Sequence, residues 1–344
     1  AMTKQQVVDF ARRHFRDNYV VVYKRQGEDS TLQKIDKPQI TPIPTNRDLH
    51  SAFLDAIKDS HVEPIQPKFV DFQKELTFGT PKKKLPFIHK QNTTNDLFTL
   101  AFHYEFGNQA DNRYDIAADY IALLGTDKLT NEDIQKKFYE MACSYSISVS
   151  EEEMNIVIMG LADRMQDALA LTEQVLSGAK ADKDMYSQFV DQILKMREDQ
   201  KKEQRPCFNR AWDYTIYGAY NPYTNIMSAE ALKSTDPQIL LDLLKGLSDI
   251  EHTVIYYGPW EKDKVEQAVN KLHKTPKKLQ AALENKPYVF QQTPQNEVFL
   301  APYEAKNIYL RKYHNRGKQW APKDAAVQAL FNEYFGGGMN TIVF

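Results

Sequence analysis

The side chains in this sequence best suited to metal or proton chemistry are its eight histidines: His14, His50, His61, His89, His103, His252, His273 and His314. Two imidazoles share a helix face only when they stand three or four residues apart, and no pair here does. The sequence therefore offers no helix-borne two-histidine metal site. His89 and His103 fall on neighbouring strand candidates and are the pair that folding could bring together; read singly, they are partly exposed sheet residues. Cys143 and Cys207 are not grouped with histidine at zinc-ligand spacing, which excludes ribbon and finger sites. They read as two buried thiols rather than one disulfide. Asp115 and Asp119 are four apart and would share a helix face, with the spacing of ordinary surface residues. Glu198 and Lys202 have the favourable orientation for a helix ion pair. Gly336-Gly337-Gly338 lacks the Lys and Ser/Thr of a phosphate loop, and neither a nucleophile elbow nor a dinucleotide fingerprint occurs.

The chain that must position these residues has 344 residues, of which 42% are hydrophobic and 26% charged, an ordinary globular balance. Lys plus Arg number 44 and Asp plus Glu 46, a net charge of −2 that leaves no electrostatic footprint for nucleic acid or an anionic membrane. No apolar run approaches the ~18–20 residues of a membrane span. Ala1 ahead of Met2 reads as an appended residue, and the apolar run ending at Phe344 reads as an internal stop, so a piece of a longer chain is expected.

Residues 3–16 have helical spacing behind Thr3 as N-cap, followed by a strand at 19–23 and Gly27. A similar helix–strand–glycine unit recurs at 236–258, suggesting two related α/β bodies. Pro38, Pro42, Pro44, Pro64 and Pro67 interrupt 28–75, where only 46–59 reads as a helix. Strands are expected at 76–78, 86–90 and 97–106, the last alternating with Phe98, Leu100, Phe102, Tyr104 and Phe106 on one face. A helix follows at 113–124, stopped by Gly125, and another runs from Thr130 to about 142. A hairpin spans 144–161. An amphipathic helix covers 163–176 and a long one 182–204, with a further helical turn or two at 206–217. Strands at 288–292, 297–300 and 306–313 precede a helix at 322–335.

In this order the elements resemble the insulinase/pitrilysin-type zinc metallopeptidases. FNEYFGGGMNTIVF (331–344) resembles the family's helix–glycine-turn–helix segment. YDIAADYIALLGT (114–126) resembles the helix that in the catalytic half bears His-x-x-Glu-His. YGAYNPYTNI (217–226) and SDIEHTVIYYGP (248–259) look typical of a bacterial branch. The resemblance implies an α+β fold of two-layer α/β domains in a clamshell, an antiparallel or mixed sheet packed on helices. It implies the end of a catalytic-half domain at 1–25, a proline-containing linker at 26–75, a complete non-catalytic domain at 76–284 and the start of a final domain at 285–344. In the family two histidines at i and i+4 bind zinc and the adjacent Glu activates its water. At the matching positions this sequence has Ile116, Asp119 and Tyr120, and Glu198 falls near the place of the distal Glu.

The implied fragment therefore has no metal site and no catalytic residue of its own. Zinc would belong to the upstream half of the parent, and the sequence leaves open whether that parent is periplasmic or cytoplasmic. The implied role is a wall of the peptide chamber that positions extended peptides. Its partners would be the catalytic half of the same polypeptide and unfolded peptides, with neither nucleic acid nor a membrane span, and an open sheet edge after 285 for self-association. Gly336, Gly337, Gly338 and Met339 are the peptide-contact candidates, a plain helix cap being the alternative. Two other readings stay open: a structural or peptide-binding homologue with no protease activity in either half, and an unrelated α/β enzyme using carboxylates alone.

Overall fold

The computed structural model describes residues 2–27, 31, 33, 35–43, 49–81, 84–305, 307–318, 321–339 and 341–342. Pro44, the start of the expected 46–59 helix, Lys306 and residues 343–344 lie outside them. The chain divides into two units, Ala1–Lys68 and Phe69–Phe344. In the first unit α1 (Lys4–His14) starts at a capping box: Thr3 Oγ1 accepts from the Gln6 amide, and the Gln6 side chain accepts from the Thr3 amide. At α2 (Ala52–Asp59) Ser51 Oγ accepts from the Leu54 amide, a single capping bond. No described residue of this unit is buried. Residues 19–23 form no strand, because no neighbour among the described residues offers them a ladder; of the expected repeat only the 236–258 copy is complete.

The second unit holds α3 (Phe72–Glu75) and one sheet made of β1 (Thr77–Gly79), β2 (Phe87–Gln91), β3 (Leu97–Tyr104), β4 (Cys143–Val149), β5 (Met154–Leu161) and β6 (Thr253–Gly258). Its further helices are α4 (Arg113–Ile121), α5 (Asn131–Glu140), α6 (Met165–Gly178), α7 (Lys183–Gln200), α8 (Gln204–Tyr217), α9 (Ala229–Ser234), α10 (Pro237–Gly246), α11 (Lys262–Leu272) and α12 (Pro322–Phe335). The strand order is β1-β2-β6-β3-β5-β4, with β2 and β6 parallel and every other pair antiparallel. This is the mixed α+β sheet that the sequence leads one to expect.

The alternation of β3 sets the core. Phe98, Leu100, Phe102 and Tyr104 are all at most 2% exposed, and they meet Ile156 and Ile158 of β5, Val254 and Tyr256 of β6, and the apolar faces of the helices. Fully burying each such side chain contributes about 1.5–3 kcal/mol. α4 and α6 pack on the β4–β5 end, α10 packs on α4, and α11 packs on α6.

Three local expectations change. The long helix expected at 182–204 ends at Gln200, and α8 restarts at Gln204. Pro206 fits the first turn of a helix but would clash with a carbonyl in its middle. With α7 ended, Glu198 pairs with Lys201 (2.6 Å) and Lys202 with Asp199 (2.9 Å), instead of Glu198 with Lys202. Finally, 288–292 and 297–300 form no strands, and neither do the described residues of 306–313. α11 was not anticipated from the sequence, although Val265, Ala268 and Val269 carry helical spacing and are buried.

Candidate functional site

α4 is the element that would have to hold a metal if one were held as the resemblance describes. Asp111 starts it, accepting from the Arg113 amide at 3.0 Å and pairing with the Arg113 guanidinium. Asn112, at the N-cap position, makes no capping bond. Ile116, Ala117, Tyr120 and Ile121 form the buried face, and Asp119 faces solvent. Ile116 offers carbon only. The Tyr120 hydroxyl is taken: it donates to the Asp182 carbonyl (2.8 Å) and accepts from the Asp182 amide (3.0 Å), which ties α4 to the start of α7. Burial also raises its pKa. A neutral, doubly bonded phenol beside an isoleucine is no zinc ligand set, so the residues present do not fit the metal. Among the described residues no group of three or more His, Cys, Asp or Glu side chains is placed to hold one.

Tyr120→Phe removes both bonds and leaves the Asp182 amide without its partner, while the Asp182 carbonyl keeps the Tyr186 amide (2.9 Å). The expected cost is about 1–3 kcal/mol in urea denaturation of the full chain, with the fold retained. A change below about 0.5 kcal/mol would show that the hydroxyl does not tie the two helices.

The remaining sequence candidates are dispersed. Burial pushes the Asp115 carboxyl up to about 6, Asn108 Nδ2 opposes this with a hydrogen bond at 3.1 Å, and Asp119 adds to it. Glu198 is an exposed ion-pair partner at the end of α7. His89 and His103 do not meet, because β6 lies between their strands and they project from opposite faces. His89 is buried, bonded through Nε2 to the Trp260 carbonyl (2.8 Å) and stacked on Tyr256. His103 is half-buried beside Asn155 (2.9 Å). Cys143 is a buried free thiol and Cys207 a half-buried one. Gly336 follows α12, its amide bonded to the Asn332 carbonyl (2.9 Å), and Met339 is exposed.

The sheet face opposite the α4–α6 layer is the surface that sequence reasoning missed. In register across all six strands it carries Phe78, Ile88, Ile255, Ala101, Val157 and Ser146. A second row carries Lys90, Tyr257, Thr99, Met159 and Ser144. Tyr257 and Met159 are 46% and 45% exposed, and Ile88, Ile255, Thr99 and Val157 are half-buried. In these two rows the only charge is on Lys90, whose Nζ lies 3.1 Å from Glu75. The signal was present in the alternation of β3: Thr99, Ala101 and His103 are its other face.

This geometry has counterparts among solved structures. The chain superposes on a peptidase M16 inactive domain from Pseudomonas fluorescens with a TM-score of 0.53 at 13% identity, covering 62% of this chain and 54% of that one. The chain has the peptidase M16 fold. The periplasmic protease PqqL of Escherichia coli gives 0.54 at 12% identity, covering 85% of this chain and 30% of that one. The ferredoxin protease FusC, solved with Arabidopsis ferredoxin, gives 0.53 at 12% identity, covering 68% and 27%. The chain thus spans about half of the first of these structures and under a third of the other two. No protein-family model and no curated protein matches the sequence. The resemblance to the insulinase/pitrilysin-type peptidases holds at the level of the fold.

Proposed function

We propose that this chain is part of the non-catalytic half of a zinc-dependent endopeptidase and that its sheet forms a wall against which extended peptides are positioned. The open face of the sheet carries this reading. A continuous, nearly uncharged surface of isoleucine, valine, alanine and tyrosine edged by serine suits unfolded segments of mixed sequence, because apolar contact is non-directional. Larger exposed patches of this kind mark interaction surfaces. The M16 fold supports the reading, and so does α4, which has spent its ligand positions on packing. Gly336, Gly337, Gly338 and Met339 are proposed as a further peptide contact, where glycine lets a backbone approach closely. Hydrolysis, with its zinc, is assigned to a separate catalytic half.

The test is binding of fluorescein-labelled peptides from carboxymethylated casein to the full chain, followed by anisotropy. Binding without cleavage is expected, with or without added zinc. Tyr257→Asp and Met159→Asp, which put charge on the exposed part of the face, are each expected to weaken it about tenfold or more, roughly 1.4 kcal/mol. Unchanged affinity in both variants, or zinc-dependent cleavage by the chain alone, would sink the reading.

A further inference from the structure

Behind the central strands lies a row of polar side chains that takes no part in the open face. His252 directly precedes β6, His273 caps the end of α11, and Glu173 projects from α6. His252 Nδ1 stands 2.7 Å from the Ile250 carbonyl, His252 Nε2 stands 3.0 Å from His273 Nε2, and His273 Nδ1 stands 2.6 Å from Glu173 Oε1. Both imidazoles are at most 4% exposed. The Phe102 ring stacks on His273 at 4.4 Å and meets His252 edge-on.

The proton count follows from the donors and acceptors. A carbonyl only accepts, so His252 Nδ1 carries its hydrogen and donates. A neutral His252 then presents a bare Nε2, which accepts from the N–H of His273 Nε2. His273 Nδ1 and Glu173 share one more proton, on the ring as an ion pair or on the carboxyl as a neutral pair, and in either form their sum is uncharged. The row is satisfied with three protons. A fourth, on His252 Nε2, either sets two N–H groups head to head at 3.0 Å or drives the His273 hydrogen to Nδ1 against a protonated Glu173, and in both arrangements it leaves a net positive charge among buried rings, which weakens the row.

We propose that the Glu173–His273–His252 row is an acid-sensitive latch that holds α6 and α11 to the central strands of the sheet and releases them when His252 takes up a proton. The groups around it oppose that proton. Lys84, ahead of β2, repels it, as would a charged His273. From β3, Tyr104 lies 4.9 Å from His252 and is held neutral by burial, by Glu173 and by Tyr114 of α4. Glu173, from α6, is the one acidic group in the row and is already engaged by His273. Release would reach the open face, since Phe102 lies between Ala101 and His103 of the same strand. The latch stands on the fold and this geometry, and does not depend on the peptide-wall reading.

The sign is that of a base kept neutral. Burial first, then His273, lowers the pKa of His252 from 6.5 to about 4, so its contribution is complete above pH 6.5 and is lost as the pH falls from there toward 4. Between pH 7 and 4.5 the unfolding constant should rise roughly sixty-fold through this one group.

The experiment is urea denaturation of the full chain over that range, compared with His252→Asn, together with ring-nitrogen NMR of the histidine-labelled wild type. The variant is expected to be less stable at pH 7 and to lack most of that rise. The wild-type spectrum is expected to show one neutral histidine with its hydrogen on Nδ1 down to pH 5. A variant that keeps the full pH slope would overturn the latch. So would a wild-type spectrum in which every histidine titrates as a free imidazole does, and this readout holds even if the variant does not fold.

Discussion

Phe102→Ala is expected to lower the stability of the 69–344 unit by about 3–5 kcal/mol. The ring is 1% exposed and sits on β3, which is paired on both sides by β5 and β6. Its removal takes away transfer free energy and leaves a hole that two hydrogen-bonded strands cannot close. It also strips the stacking partner from His273, so water gains a path to the imidazole pair. Urea denaturation followed by tryptophan fluorescence measures the loss. Phe102→Leu, which keeps most of the volume, should cost well under half as much. A loss below about 1 kcal/mol in the alanine variant would mean that this strand is not the centre of the core.

Gly160→Ala should cost about 3–5 kcal/mol for a different reason, backbone conformation together with overpacking. Gly160 lies in β5 at φ +149, opposite Cys143, and the preceding Ala142 is itself at φ 49. A β-carbon on Gly160 would lie 2.4 Å from the Ala142 carbonyl oxygen and 2.6 Å from the Cys143 α-carbon. Both obstacles include backbone, so no rotamer change relieves them. Hydrogen exchange of the β4 and β5 amides is the direct readout. Protection equal to wild type would show that the β4–β5 pair accepts a side chain there after all.

Those two positions differ in how legible they were. The alternation of Phe98, Leu100, Phe102 and Tyr104 marks a half-buried strand from sequence alone, because side chains repeat every two residues on a pleated sheet. Thr3 with Gln6 and Thr130 with Asp133 likewise announce their helices, since caps are local chemistry. Gly160 gives no such notice: its meaning depends on Ala142 and Cys143 across the ladder. The same holds for the latch. His252 and His273 are 21 residues apart and Glu173 is 100 residues from His273, and nothing local says that three elements converge there. Ile116 and Tyr120 were readable as positions without ligand chemistry, but the bond from Tyr120 to Asp182 was not. The segments around 288–300 show the reverse error. Their β-branched and aromatic content suggested strands, yet a strand is a property of a pair, and these have no ladder partner among the described residues.

The place of β6 has a consequence for how the molecule is made. β1 with β2 is one antiparallel ribbon, and β3, β5 and β4 form another, all encoded before residue 162. The strand that fuses them, Thr253–Gly258, arrives about ninety residues later and inserts between β2 and β3. During synthesis the two ribbons therefore wait with bare edges facing each other until that keystone leaves the ribosome, and this interval is when the nascent chain is most open to pairing with the wrong strand.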